Sequence, residues 1–127
     1  MPPISKNRRD FIRQTSLATA GWFIIPRHVL GNGFIAPSDK LNVAGIGVGG
    51  QGAGDLASIA KSPFVNIVAL CDVDDRQAAR SRKSFEKASY YNVFREMFAK
   101  EKDTIDACTI STPDNMHAVA TLAAMHL

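Results

Sequence analysis

The chain has 127 residues, enough for one domain of ordinary size, and its 46% hydrophobic and 21% charged residues exclude wholesale disorder. The formal charge is +3, but residues 1–40 hold six basic against two acidic residues, a net of +4, while residues 41–127 hold nine against ten, a net of −1. The larger part therefore offers no basic face to track phosphates, and no nucleic-acid partner is expected. Cys71 and Cys108 form no CxxC pair and the histidines are scattered, so no metal site is expected.

The N-terminal charge belongs to an address. Arg8, Arg9 and Arg13 precede a moderately apolar run, Leu17 to Ile25, that breaks at Pro26-Arg27. That run is shorter than the ~20 residues a bilayer crossing needs, so no stable transmembrane span is expected. Asn7-Arg8-Arg9-Asp10-Phe11-Ile12-Arg13 resembles a twin-arginine export signal, in which paired planar guanidiniums suit bidentate contacts to receptor carboxylates. The resemblance implies recognition by the twin-arginine export machinery and a periplasmic or extracytoplasmic protein, with the signal cut near Ala36 or kept as a tether. Residues 31–40, GNGFIAPSDK, cluster Gly, Asn, Pro and Ser as linkers do. The expected division is a signal segment and linker over 1–36 and a folded domain over 37–127.

The folded part opens with Leu41 to Ile46, a short buried strand, and turns helical from Gly50, with Ala53, Leu56, Ala57 and Ala60 at three- and four-residue steps until Ser62-Pro63. Between them lies a glycine-rich turn, the setting a dinucleotide fingerprint requires. Two frames of G-x-G-x-x-G overlap. Gly45/Gly47/Gly50 would place its first glycine inside the strand; Gly47/Gly49/Gly52 places it at the strand's end and is the frame chosen. Gly47 then permits the tight turn, Gly49 lets backbone approach a pyrophosphate, and Gly52 lets the helix pack closely on the strand. Gly50, at the helix start, joins them as a candidate cofactor contact, with the free amides and dipole of that terminus facing the phosphates.

A second apolar run, Val65 to Cys71, ends at Asp72, 20 residues past Gly52, where a carboxylate would accept hydrogen bonds from an adenosine ribose. The same charge repels a 2′-phosphate, so NAD is expected over NADP, although Arg76 nearby is a base that could receive that phosphate. Asp74 and Asp75 are better placed than Asp72 to cap the following helix. That helix, RQAARSRKSFEKA, shows a core face at Ala78, Phe85 and Ala88 and a solvated basic run at Arg80, Arg82 and Lys83. SYYNVF reads as a third strand with Tyr90 and Tyr91 as packing residues, REMFAKEKD as a short helix, and TIDACTIS as a fourth strand. A last helix starts at Pro113 and Asp114, with Met116, Val119, Leu122 and Met125 expected as its core stripe.

Strands alternating with helices predict an α/β fold: a doubly wound, parallel, right-handed sheet of about four strands in the order 3-2-1-4, the Rossmann arrangement. Cys71 and Cys108 would then lie two strand spacings apart, roughly 9–10 Å, too far for a disulfide. The fourth strand would be an apolar edge, and residues 41–127 by themselves are expected to be marginal and adhesive.

GVGGQG, ALCDVD and CTISTPDNMHAVATLAAM together resemble the Gfo/Idh/MocA oxidoreductases, from about Leu41 to Leu127. The most specific stretch is Thr112-Pro113-Asp114-Asn115-Met116-His117, similar to the family's T-P-x-x-x-H pattern after the fourth strand. The resemblance implies an NAD(P)-dependent enzyme passing a hydride to or from a sugar or cyclitol, with Thr112, Pro113 and His117 on the nicotinamide side of the cofactor. It also implies elements not found in these 127 residues: a strand ending in Glu-Lys-Pro whose lysine assists proton transfer, and a second domain carrying the substrate site. No catalytic residue is expected within this chain, which resembles the front third of such an enzyme and is expected to be inactive alone. A redox-neutral glycosidase of the same family, a non-catalytic dinucleotide-binding module and a truncated gene product are the alternatives. An oligomer is compatible with all of them.

Overall fold

The computed structural model describes residues 35–127. The expected export signal and most of its linker lie outside the described residues.

A single 3-10 turn, Pro37–Asp39, leads into strand β1, Leu41–Ile46. Next come helix α1, Gly50–Ile59, strand β2, Val65–Cys71, helix α2, Asp75–Ser84, and strand β3, Ser89–Tyr91. Helix α3, Phe94–Glu101, strand β4, Ala107–Ile110, and helix α4, Asp114–Met125, complete the order. The four strands form one sheet in the order β3-β2-β1-β4, every neighbouring pair parallel, as expected from the sequence. Among the described residues no helix is long and apolar enough to cross a membrane.

Two cores explain the double winding. On one face Val43, Ile67 and Leu70 pack with Val48, Leu56 of α1 and Ala78 of α2. On the other, Ala44, Ile46, Ala69 and Cys71 pack with Phe94, Met97 and Phe98 of α3 and Ala120 of α4. Strict alternation along β2 would place Ile67 and Ala69 on one face. They part because the register slips between Val43 and Ala44, which pair with Ile67 and Ala69, leaving Val68 as the extra residue of a bulge. Cys71 pairs with Ile46 and Cys108 with Ala44 from opposite sides of β1, so both thiols are free.

Some boundaries and faces differ from expectation. The third strand stops at Tyr91 rather than reaching Phe94, because Asn92 turns its amide to the Asp72 carbonyl and the Asp75 carboxylate, and Phe94 already belongs to α3, stacked edge-on against Phe98. The fourth strand starts only at Ala107: Thr104 closes α3 by donating to the Glu101 carbonyl, and Asp106 accepts from the Asn42 amide. In α1, Gly52 and Leu56 are buried whereas Ala57 is exposed.

The stripe expected along α4 is not its core face. Ala120 is fully buried, with Met116, Ala123 and Ala124 packed beside it, while Leu122 and Met125 are 58% and 78% exposed. Steps of three residues fall short of a whole turn by roughly 60° each, so Met116, Val119, Leu122 and Met125 wind around the helix. Met125 ends on the side opposite Met116. Ala120, Ala123 and Ala124 keep to one side, and their size allows α4 to lie close to the sheet.

Candidate functional site

The carboxyl ends of β1, β2 and β4 open into a cleft of about 590 Å³, a volume in the range of small-molecule sites. Its lining includes Gly47, Gly49, Gly50, Asp72, Thr112 and Pro113, so six of the eight sequence-predicted residues meet in one place. Gly52 lies behind this lining, and His117 stands exposed on the first turn of α4, outside it.

The glycine turn is built as the second frame requires. Gly47 has a φ of +75°, in the left-handed region where a side chain is strained, and donates its N–H to the Cys71 carbonyl at 2.8 Å. A Cβ at Gly49 would come within 2.6 Å of the Gln77 Cβ. A Cβ at Gly52 would lie 1.8 Å from the Gly47 carbonyl oxygen, so α1 reaches its place against β1 only because that hydrogen is all Gly52 carries. Gly50 differs: its φ is +47°, yet nothing stands near an added Cβ, so it supplies a backbone turn rather than a close contact. Gly45 packs beneath the ends of Leu56 and Val48, within β1 and away from the turn. Gly49 is the N-cap of α1 and brings no side chain to it, so the first-turn amides have no side-chain acceptor and remain the donors for an anion.

Asp72, one residue beyond β2, is bound tightly. Its carboxylate accepts from the Gly49 amide at 2.8 Å and from the Asp74 amide at 3.0 Å. An ionised carboxylate has about four acceptor positions, so two remain for a ribose diol. The capping of α2 falls to Asp74, whose side chain accepts from the Arg76 amide. Arg76 also pairs with Asp74 at 3.3 Å and is 91% exposed, directed to its own helix start rather than to Asp72. That partner's hydrogen bonds hold the Asp74 carboxyl below its ordinary range.

On the opposite wall, Thr112 and Pro113 form the turn from β4 into α4, with Pro113 as the N-cap. The Thr112 hydroxyl oxygen is buried and has no hydrogen-bond partner. A buried hydroxyl left this way costs free energy that a polar ligand atom would recover. Asn115 and Met116 extend the same wall, and Val73, Val93 and Phe94 give the far end an apolar lining. Cys71 forms part of the floor; burial, and next the Asp72 charge, raise its thiol to about 11, so it remains neutral.

Three supports had no sequence signal strong enough to mark them. Ser111 donates to the Asp55 carboxylate at 2.7 Å, tying the β4–α4 turn to α1. Ser81, buried in α2, donates to the Val48 carbonyl at 2.6 Å beneath the glycine turn. Tyr90 donates to the Asp72 carbonyl at 2.9 Å. Each is a common polar residue at an ordinary helix, strand or turn position, and only the tertiary contact reveals its role.

A cradle that a Cβ would fill, a fixed carboxylate at the end of β2 and an orphaned hydroxyl across the cleft together fit a dinucleotide. No curated protein sequence matches the chain. Among solved structures, myo-inositol 2-dehydrogenase from Lactobacillus plantarum is similar at 28% identity and a TM-score of 0.61, over 68% of this chain and 25% of that one. GenD2 from gentamicin A biosynthesis, solved in complex with NAD, shares the fold at 21% identity and a TM-score of 0.63, over 82% of this chain and 27% of that one. The chain thus spans about a quarter of the length of these proteins. Residues 41–127, more than half of the chain, match the family profile described as the Gfo/Idh/MocA oxidoreductase family, NAD-binding Rossmann fold, and the chain belongs to that family.

Proposed function

We propose that residues 37–127 form the NAD-binding portion of an oxidoreductase that transfers a hydride to or from a sugar or cyclitol. The observation that carries this reading is the joint geometry of Gly49, Gly52 and Asp72, in which the glycine turn and the carboxylate are hydrogen-bonded to each other at 2.8 Å. The free amides at the start of α1, from Gly50 onward, would hold the pyrophosphate, with Gly47 and Gly49 letting it approach the turn and Gly52 allowing that helix to come near enough. Asp72 would accept the adenosine ribose hydroxyls. Its negative charge, and the engagement of Arg76 with Asp74, favour NAD over NADP. Thr112 and Pro113 would border the nicotinamide side, where the Thr112 hydroxyl can donate to a polar group of the cofactor. His117 enters only through the family pattern, since it stands outside the cleft lining.

The bound dinucleotide would supply the hydride chemistry, while this chain binds, orients and excludes water from it. Lys100, the one lysine of α3, pairs with Glu96 at 2.7 Å on the exposed side of that helix and is assigned no part in proton transfer. Similarity to a myo-inositol dehydrogenase supports a polyhydroxylated substrate. The twin-arginine pattern at Arg8 and Arg9 supports export to the periplasm or beyond. An exported enzyme has no cytoplasmic pool to recycle free NAD, so the same motif favours a second reading. In it the cofactor is retained and re-reduced within a redox-neutral reaction such as glycoside cleavage. Calorimetric titration of the full-length protein with NAD and NADP tests the binding reading: saturable binding with NAD preferred, lost in Asp72→Ala, supports it, and absence of binding to both contradicts it. Protein that purifies without dinucleotide and consumes added NAD stoichiometrically contradicts the redox-neutral reading.

A further inference from the structure

Asp72 is restrained on its main chain as well as at its carboxylate. The last paired residue of β2 is Cys71, opposite Tyr91, so Asp72 stands one step past the ladder. Its N–H donates to the Tyr91 carbonyl at 3.1 Å, which still belongs to the strand pattern. Its carbonyl, however, is taken by two side chains: the Tyr90 hydroxyl at 2.9 Å and the Asn92 amide at 3.2 Å. These two groups are themselves held. The Arg82 guanidinium lies over the Tyr90 ring, 4.3 Å from its centroid, and the Asn92 amide also donates to the Asp75 carboxylate at 3.0 Å. Burial first, and then a hydrogen bond to the Asp75 carboxylate, raise the Tyr90 phenol well above its ordinary value, so it keeps its one proton, which the Asp72 carbonyl and the Asp75 carboxylate both attract.

A strand as short as β3, three residues, does little to anchor the main chain beyond the end of β2. Tyr90 and Asn92 take over that task through their side chains. The consequence falls on the carboxylate, because a rotation of the Asp72 peptide would swing it away from the Gly49 amide and out of the cleft mouth.

We propose that Tyr90 and Asn92 are positioning residues for dinucleotide discrimination: by gripping the Asp72 carbonyl they hold its carboxylate where it accepts a ribose diol and repels a 2′-phosphate. The inference rests on the dinucleotide reading above. A residue that only stabilises the fold would weaken NAD and NADP alike. A residue that aims Asp72 weakens NAD, which uses the carboxylate, and spares NADP, which is penalised by it.

The test uses the full-length protein. Tyr90→Phe keeps the ring beneath Arg82 and deletes only the hydroxyl, at a residue outside the cleft lining; Asn92→Ala alters an exposed side chain that also borders the cleft. Dissociation constants for NAD and NADP are measured by calorimetry on each variant and on the pair. Loss of one hydrogen bond predicts about a fivefold weaker NAD complex in each single variant. NADP affinity is expected to change by less than about twofold, so the preference narrows about fivefold, and further in the double variant. Equal loss for both dinucleotides, or no change for either, overturns the inference even when wild type binds NAD. Wild type that binds neither dinucleotide overturns the dinucleotide reading and this inference with it. Should Tyr90→Phe fail to fold, Asn92→Ala decides by the same ratio.

Discussion

Gly52→Ala places one methyl group where the fold allows none. The added Cβ would lie 1.8 Å from the Gly47 carbonyl oxygen and 3.0 Å from the Ser111 Cβ. Real Cβ contacts do not fall below 3.0 Å, so α1 and the glycine turn must part by at least the difference, 1.2 Å. The obstacle is main chain, which cannot rotate aside as a side chain can. Overpacking of this kind costs about 1–3 kcal/mol. In a domain of this size such a loss lowers the melting temperature by roughly 5–20 °C. It also withdraws the first-turn amides of α1 from the cleft, and NAD affinity is expected to fall at least about thirtyfold, since a shift of about 1 Å is costly wherever binding groups converge. Gly54→Ala is the matched control two residues on. Its Cβ would meet nothing within 4 Å, and an alanine in a helix interior stabilises by roughly 0.5–1 kcal/mol. Thermal melts followed by circular dichroism, with NAD calorimetry on the same samples of the full-length protein, separate the two. A Gly52→Ala protein that melts and binds as wild type does would show that close helix–strand approach does not build this site.

Other expectations concern the supports around the cleft and the N-terminal signal. Ser111→Ala removes the hydrogen bond to Asp55 that joins α1 to the β4–α4 turn, at a cost of about 1.5–3 kcal/mol in denaturant unfolding because the acceptor is charged; an unchanged midpoint contradicts that clamp. Cys71, whose thiol is raised to about 11, is neutral below that value and becomes a thiolate only as the pH rises through it, so iodoacetamide at about pH 8 should leave it unmodified in folded protein, and rapid labelling there would show the burial to be wrong. Replacing Arg8 and Arg9 together by lysine should abolish export of a reporter fused to residues 1–36, with the precursor remaining in the cytoplasm; unimpaired export would remove the twin-arginine reading.

The parts of this site that were legible in the sequence are those whose chemistry is local. A glycine needed for a positive φ at Gly47, or for contact with the strand immediately before it at Gly52, is recognisable because both partners lie within a few residues. Asp72 was legible because a parallel βαβ unit has a nearly fixed length, so spacing stands in for position. The face of α4 was not legible in the same way. Large apolar residues at Val119, Leu122 and Met125 outweighed the alanines by size, yet the angle around the helix places Ala120, Ala123 and Ala124 against the sheet. Tyr90, Asn92, Ser81 and Ser111 were hidden for a different reason. Their hydroxyl and amide groups act on carbonyls or carboxylates that are brought near only by the sheet order, and no spacing rule records such a meeting. The bulge at Val68 belongs with them, because a bulge is a property of the pairing of two strands.

We propose that the free amides at the start of α1, beside a turn fixed by Asp72, hold the diphosphate of NAD. Amide chemical shifts of the full-length protein, recorded during titration with NAD, test it most directly. Saturable movement of the Val48 to Gly52 signals is expected, with Asp72 moving in step and Gly54 much less. Saturable binding elsewhere with those signals unmoved, or no binding by well-folded protein, would contradict it.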